Sequence, residues 1–154
     1  MEYLKIIRAF GVLNRAFLGY ITKSLMDKDI SYSDSIFLVN IGAKEGITQD
    51  EIAKSLAIDK AAIARSVKIM HKKGYVRVVQ SATDKRAKEL YLTNTGKKLY
   101  QYLQMLNSQW INSVFDGIST DQVETFGQIL DKICISAKDY TSTFQQTTAG
   151  DSKV

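Results

Sequence analysis

The stretch from Thr48 to Leu92, TQDEIAKSLAIDKAAIARSVKIMHKKGYVRVVQSATDKRAKELYL, restricts the fold more than any other part of the chain. Thr48 followed three residues later by Glu51 is a capping box, in which each side chain satisfies a free backbone N–H of the other residue. It opens a short helix over residues 49–56 that turns Ile52, Ala53 and Leu56 inward. Ala57-Ile58-Asp59 then makes a turn, and Asp59 caps a second helix over 60–73. At 100° per residue Ile63, Val67 and Met70 fall within about 60° of one another and form its buried face. Ala61, Arg65, Lys68 and Lys72 lie opposite. Gly74 ends the helix in a left-handed cap. Tyr75–Gln80 and Glu89–Leu92, extended by Thr93, are β-branched and aromatic and read as two strands. Between them SATDKRAK is a hairpin tip carrying Asp84, Lys85, Arg86 and Lys88.

Charge sharpens this reading. The 154-residue chain carries a formal charge of +5. Residues 48–98 hold twelve Lys and Arg against five Asp and Glu, so the rest of the chain is slightly acidic. A basic segment in an otherwise acidic protein fits a polyanionic partner. The exposed face of the 60–73 helix is small at its start and cationic along its length. A major groove admits such a helix, because small residues allow close approach and Arg can fork onto a guanine edge or a phosphate. A long hairpin with a cationic tip makes sense if Arg86 reaches a narrow minor groove, where the negative potential is greatest. Asp84 cannot contact phosphate. A local turn bond or an ion pair orienting a neighbouring arginine is its expected role.

Either side of this segment the pattern is helical. Ile6, Phe10, Leu13, Phe17, Tyr20, Ile21 and Leu25 recur at steps of three and four, predicting one amphipathic helix from Tyr3 to about Met26. It begins as an amphipathic helix, not as a signal peptide. After the polar DKDISYSD, Ser33 is placed to cap a second helix with Ile36, Phe37, Val39 and Ile41 as its apolar content, closed by Gly42 and Gly46. Beyond the hairpin, Thr93 caps a helix to about Phe115 with a stripe of Leu99, Leu103, Leu106, Trp110 and Val114, helped by Tyr102 and Ile111. Gly117 ends it, and Ser119 with Gln122 forms a second capping box. The last helix carries Val123, Phe126, Ile129, Leu130 and Ile133. From about Tyr140 the polar run TSTFQQTTAGDSKV reads as a frayed, flexible tail over 140–154. The expected fold is mainly α with a small β-hairpin wing: a winged helix-turn-helix over 33–97, and long N- and C-terminal helices over 1–32 and 98–139 that serve dimerisation. Stripes of this length are usually buried partly against a second copy.

The segment resembles the winged helix-turn-helix of the MarR family of bacterial transcriptional regulators. T-Q-D-E-I-A-K-S-L resembles the family's first motif helix, D-K-A-A-I-A-R-S-V-K-I-M its recognition helix, and K-K-G-Y-V the exit from that helix. D-K-R-A-K-E-L-Y-L-T-N-T-G resembles the wing and the start of the next helix; Asp84-x-Arg86 followed by L-T-x-x-G is the most specific part. The resemblance implies a homodimer whose recognition helix enters the major groove and whose wing arginine enters the minor groove. It places Ala61, Ala62, Arg65, Lys68 and Arg86 against double-stranded DNA, with Thr48, Gln49, Lys60, Lys72, Lys85 and Lys88 around them. The recognition helix begins K-A-A-I-A-R where many members carry Ser or Thr, so thymine-methyl contacts from Ala61 and Ala62 take the place of hydroxyl hydrogen bonds. A dimer would read a pseudo-palindromic operator with half-sites about 34–36 Å apart.

The function expected is a dimeric, sequence-specific transcriptional regulator, a repressor by preference because operator occupancy alone blocks a promoter. The alternative is a winged-helix protein–protein interaction module, which need not concentrate positive charge in this segment. A small anionic or aromatic effector, lodged where the helical part meets the winged part, could change the spacing of two recognition helices. Arg8, Arg15, Tyr20, Tyr32 and Phe37 are the candidates to line its pocket. No Gly-rich phosphate loop, G-x-S-x-G elbow or paired metal motif appears, so neither an enzyme nor a cofactor is expected. One histidine and one cysteine make a structural zinc site improbable. His71 reads as a surface or phosphate-facing residue. Cys134, beside the stripe of the last helix, reads as a buried inert thiol. A single cysteine and the absence of a long apolar run fit a bacterial cytoplasmic, nucleoid-associated protein with no membrane partner.

Overall fold

A computed structural model describes residues 3–150, with side chains as far as Thr141. The elements run α1 (Tyr3–Ser24), α2 (Tyr32–Ala43), β1 (Ile47–Thr48), α3 (Gln49–Leu56), α4 (Lys60–Lys72), β2 (Val76–Gln80), β3 (Lys88–Leu92), α5 (Asn94–Val114) and α6 (Thr120–Gly150). The fold is mainly α with one small antiparallel sheet, ordered β1-β3-β2. The hairpin pairs Val78 with Leu90 and Gln80 with Lys88, and Ile47 pairs with Leu90 from the other side. Two residues are too few to show a period, so β1 leaves no trace in the hydrophobic pattern.

Local chemistry explains the boundaries. Thr48 and Glu51 form the predicted capping box reciprocally. Ala57 takes φ 52° in the turn, and Asp59 accepts from the N–H groups of Ala61 and Ala62. Gly74 has φ 75°. Thr93 Oγ1 accepts from the N–H of Gly96 at 3.0 Å, starting α5. Ser31, not Ser33, caps α2: its hydroxyl accepts from the Asp34 N–H at 3.1 Å and donates to the Asp34 carboxylate at 2.8 Å. Phe37, Leu38 and Ile41 form the buried side of the helix.

The chain packs as two units, dividing between Asn112 and Ser113. The first has one core, centred on Ile21, Leu38, Ile41, Ile52, Ile63, Met70, Leu90 and Leu103. Because Ile21 of α1, Leu25 just beyond its end, and Leu99, Leu103 and Leu106 of α5 belong to it, the C-terminal part of α1, most of α5 and the winged part are joined in one packing unit. Tyr20 Oη donates to the Leu106 carbonyl at 3.1 Å, Tyr102 Oη donates to that of Ser24 at 3.1 Å, and Phe17 meets Trp110 edge-on at 5.0 Å. The predicted stripe of α1 is covered only at its C-terminal end: Ile6, Phe10 and Leu13 are exposed.

In the second unit Ser119 and Gln122 form the expected reciprocal cap, and Phe115 packs on Phe126 at 5.7 Å. Phe126, Ile129 and Ile133 are exposed, and so is Cys134, which corrects the expectation of a buried thiol. That thiol was placed by a stripe that is itself uncovered. The polar run from Tyr140 also differs from expectation. α6 stays helical to Gly150, because extending an existing helix adds a hydrogen bond per residue without a new nucleation cost. Residues 151–154 of the expected tail lie outside the described residues.

Candidate nucleic-acid interface

α4 presents two faces of different chemistry. Ile63, Ser66, Val67 and Met70 are buried, whereas Ala61, Arg65, Lys68 and Lys72 are exposed. Ala62, a DNA contact by resemblance, lies at the edge of the exposed face. It is half-buried and, with Arg65, lines an apolar groove of about 440 Å³ between α2 and α4, floored by Ile36, Phe37, Ile58 and Ile69. Lys60 Nζ lies 2.8 Å from the carboxylate of Asp50, bridging the N-termini of α4 and α3. Both groups are exposed, so the pair orients more than it stabilises. Lys73 is spoken for: its ammonium donates to the carbonyl and carboxylate of Asp29 at 2.9 and 2.7 Å, and that carboxylate raises its pKa. His71 is exposed, and its Nδ1 donates to the Val76 carbonyl at 2.9 Å, which fixes the ring.

The wing continues this surface. Thr48, Gln49 and Asp50 at the start of α3 face Arg86, Ala87 and Lys88 across a cleft of about 280 Å³. Asp50 therefore links the α4 N-terminus, through Lys60, to the cleft that Arg86 lines. Lys85, Arg86 and Lys88 are exposed, as is Asp84. Of its two expected roles, Asp84 takes the local one: its Oδ1 accepts from the backbone N–H of Arg86 at 2.8 Å. Ser81, buried at the base of the loop, accepts from the N–H groups of Thr83 and Asp84 at 3.3 and 3.4 Å. Hydrogen bonds from the hydroxyls of Ser81 and Tyr91 hold the Glu89 carboxyl below the usual carboxylate range. Arg77, absent from the sequence-based set, stacks over Tyr91 at 4.3 Å on β2. Gln80, also absent from it, donates to two wing carbonyls. Its partners are set by the loop path, which composition does not reveal.

The joint between α4 and α5 explains L-T-x-x-G in physical terms. Thr93 Oγ1 donates to the Gly74 carbonyl at 2.5 Å and caps α5 through Gly96. A Cβ on Gly96 would sit 2.0 Å from the Tyr75 carbonyl oxygen. Only glycine fits there.

Residues 28–87, from the start of α2 through the wing loop, match the model of the MarR family. The chain is 25% identical over 128 residues to an HTH-type transcriptional regulator, YybA, of Bacillus subtilis (strain 168), covering 83% of this chain and 85% of that one. To the HTH-type transcriptional regulator PrsX of Escherichia coli it is 26% identical, over 84% of this chain and 79% of the other. A MarR transcriptional regulator from Methanosarcina mazei superposes with a TM-score of 0.77 at 26% identity, over 88% of this chain and 97% of that one. A putative MarR-family regulator from Listeria monocytogenes, solved with a 26mer DNA, superposes at 0.81 and 24% identity, over 86% and 89%. The chain is thus similar to transcriptional regulators, and its fold is their winged helix. Among the described residues no cluster of His, Cys, Asp and Glu could hold a metal, and no helix is long and apolar enough to cross a membrane.

The five effector candidates separate. A pocket of about 130 Å³ between α1, α2 and α5 is lined by Phe17, Ile21, Tyr32, Val39 and Leu103, with Ser35, Asn40 and Asn107 as its polar groups. Of the five, Tyr32 lines it. Tyr20 is committed to Leu106, and Phe37 is buried in the core. Arg8 and Arg15 are exposed, and the guanidinium of Arg15 folds back over Gly11.

Proposed function

We propose that this MarR-type chain is a homodimeric, sequence-specific DNA-binding repressor acting on the bacterial nucleoid in the cytoplasm. One observation carries the reading: the exposed cationic face of α4 runs through Lys60 and Asp50 into the cleft lined by Arg86. Arg65, Lys68 and Lys72 then lie in a major groove with Ala61 near thymine methyls, while Arg86 enters the adjacent minor groove. Thr48, Gln49, Lys85 and Lys88 flank that path and meet phosphates. Fold neighbours solved with DNA support DNA as the partner.

A second copy is called for by the apolar residues left exposed on α1 and α6, since patches of that kind mark interfaces. Two recognition helices about 34–36 Å apart would read a pseudo-palindromic operator. The pocket beside Tyr32 is the effector site in this reading. No cation lines it, and its volume is close to the roughly 150 Å³ of cavities that hold benzene, so a neutral single-ring aromatic suits it better than an anion.

The test is fluorescence anisotropy on a duplex obtained by random-sequence selection with the wild-type protein. Arg65→Ala and Arg86→Ala should each weaken binding by about 1–3 kcal/mol while leaving the thermal transition in place. The wild-type affinity should fall steeply with salt as counterions are released. Unchanged affinity in both variants would overturn the groove assignment, a flat salt response would favour a protein partner, and a monomer by light scattering would remove the palindrome.

A further inference from the structure

The wing tip carries a hydrogen-bond arrangement centred on one residue. Gln80 ends β2, opposite Lys88 in the ladder. Its side-chain amide nitrogen donates to the Lys85 carbonyl at 2.6 Å and to the Ala87 carbonyl at 2.9 Å. Both partners are carbonyl oxygens, which only accept, so the amide must turn its NH2 group towards them. These carbonyls belong to the two residues that flank Arg86. The N–H of Arg86 is held in turn by Asp84 Oδ1 at 2.8 Å. Backbone bonds from Ala87 to the Asp84 carbonyl and from Ser81 to the Ala87 carbonyl, each 3.0 Å, close the loop around it. The residues on both sides of Arg86 are therefore tied to the end of a sheet strand rather than left to the loop.

We propose that Gln80 is the positioning residue for the wing arginine, fixing where the Arg86 side chain leaves the wing and so its reach into a minor groove. The claim rests on the DNA-binding reading above. Holding the loop before binding spares the ordering entropy that a loose tip would lose on the duplex. Gln80 is exposed and makes none of the core contacts, so its loss opens the tip without loosening the fold. Gln80 touches no DNA group in this arrangement; it acts through Arg86.

A double-mutant cycle separates this from a general structural role. Gln80→Ala, and Gln80→Met as a neutral variant of similar length without donors, are measured alone and with Arg86→Ala. The probe is the selected duplex, read by anisotropy. Each Gln80 variant should weaken binding about three- to ten-fold, on the scale of one or two lost hydrogen bonds. In the Arg86→Ala background the same changes should matter less than about two-fold, because the group they position is gone. Thermal transitions should match the wild type. Equal losses in both backgrounds, or no loss in the wild-type background, would overturn the proposal. If Arg86→Ala alone leaves binding unchanged, the wing's place in the minor groove fails, and positioning of Arg86 by Gln80 fails with it. If Arg86→Ala weakens binding and the Gln80 variants do not, only the positioning role falls.

Discussion

In α4 the stripe Ile63, Val67 and Met70 is at most 3% exposed, whereas in α1 the stripe Ile6, Phe10 and Leu13 is 40–45% exposed. Both recur at helical spacing, and both predict an amphipathic helix that forms. The difference is in what covers them. α4 lies among α2, α3 and β2, and its stripe ends in a closed core. The first turns of α1 have no such cover, and Phe126, Ile129 and Ile133 of α6 share their condition. Periodicity reports that an apolar face exists; it does not say which surface completes it. The winged part buries its apolar faces, and the terminal helices leave part of theirs exposed.

The largest expected effect contrasts two glycines. At Gly96 an added methyl collides with the Tyr75 backbone carbonyl, while at Gly127 of α6 it meets nothing within 4 Å. Gly96→Ala should cost about 3 kcal/mol or more, as overpacking against rigid backbone does. Gly127→Ala should be neutral or stabilise by up to about 1 kcal/mol through helix propensity. Urea unfolding decides it. A tolerated Gly96→Ala would mean the α4–α5 joint is looser than its geometry implies.

The next effect contrasts two apolar side chains. Met70 has no exposed surface, so Met70→Ala should lose about 2–5 kcal/mol at any protein concentration. Phe10→Ala should leave the unfolding of a dilute monomer nearly unchanged and instead raise the dissociation constant of the dimer, by about 1–2 kcal/mol. Sedimentation across a dilution series, paired with unfolding at two concentrations, reads the two quantities apart. A concentration-independent loss in Phe10→Ala would erase the distinction between a finished and an unfinished core.

The same division governs what was legible in the sequence. Interactions spanning three or four residues were readable: the Thr48–Glu51 box, the Asp59 cap, left-handed Gly74, and the caps at Thr93 and Ser119. Each depends on side-chain type and spacing alone. Choices settled by tertiary packing were not. Ser31 and Ser33 are equal as capping residues by type, and it is Ser31 that bonds the Asp34 N–H and carboxylate. Ala62 carries no sign in the sequence of the groove that the nearness of α2 makes beside it. Gln80 looked like the polar end of a strand until the loop brought two carbonyls to it. Of the proposed DNA-facing set, the cations of α4 and the wing are readable by type and position, and they are exposed. The residues that hold them in place are not readable, because they act through contacts that a linear pattern does not encode.

The smallest expected effect tests whether the closed region stays closed in acid. Glu51 has its carboxyl held down to about 2 from 4.5, first by the hydrogen bond from Lys44, then by the backbone N–H and the hydroxyl of Thr48. A depressed folded-state pKa stabilises the fold above the unfolded value and loses that contribution as pH falls through the folded one. The window is therefore from about 4.5 down to about 2. Lys44 and Glu51 are 65% and 45% exposed, so solvent screening limits the contribution to about 1 kcal/mol. Urea midpoints measured across that window should fall less steeply for Glu51→Gln than for the wild type, with the two curves converging near pH 2. Raised salt should weaken the Lys44 part of the difference and spare the cap bond to the Thr48 N–H. Parallel curves would show that the box holds α3 by geometry alone, and the charge at Glu51 would then contribute nothing to closing the winged core.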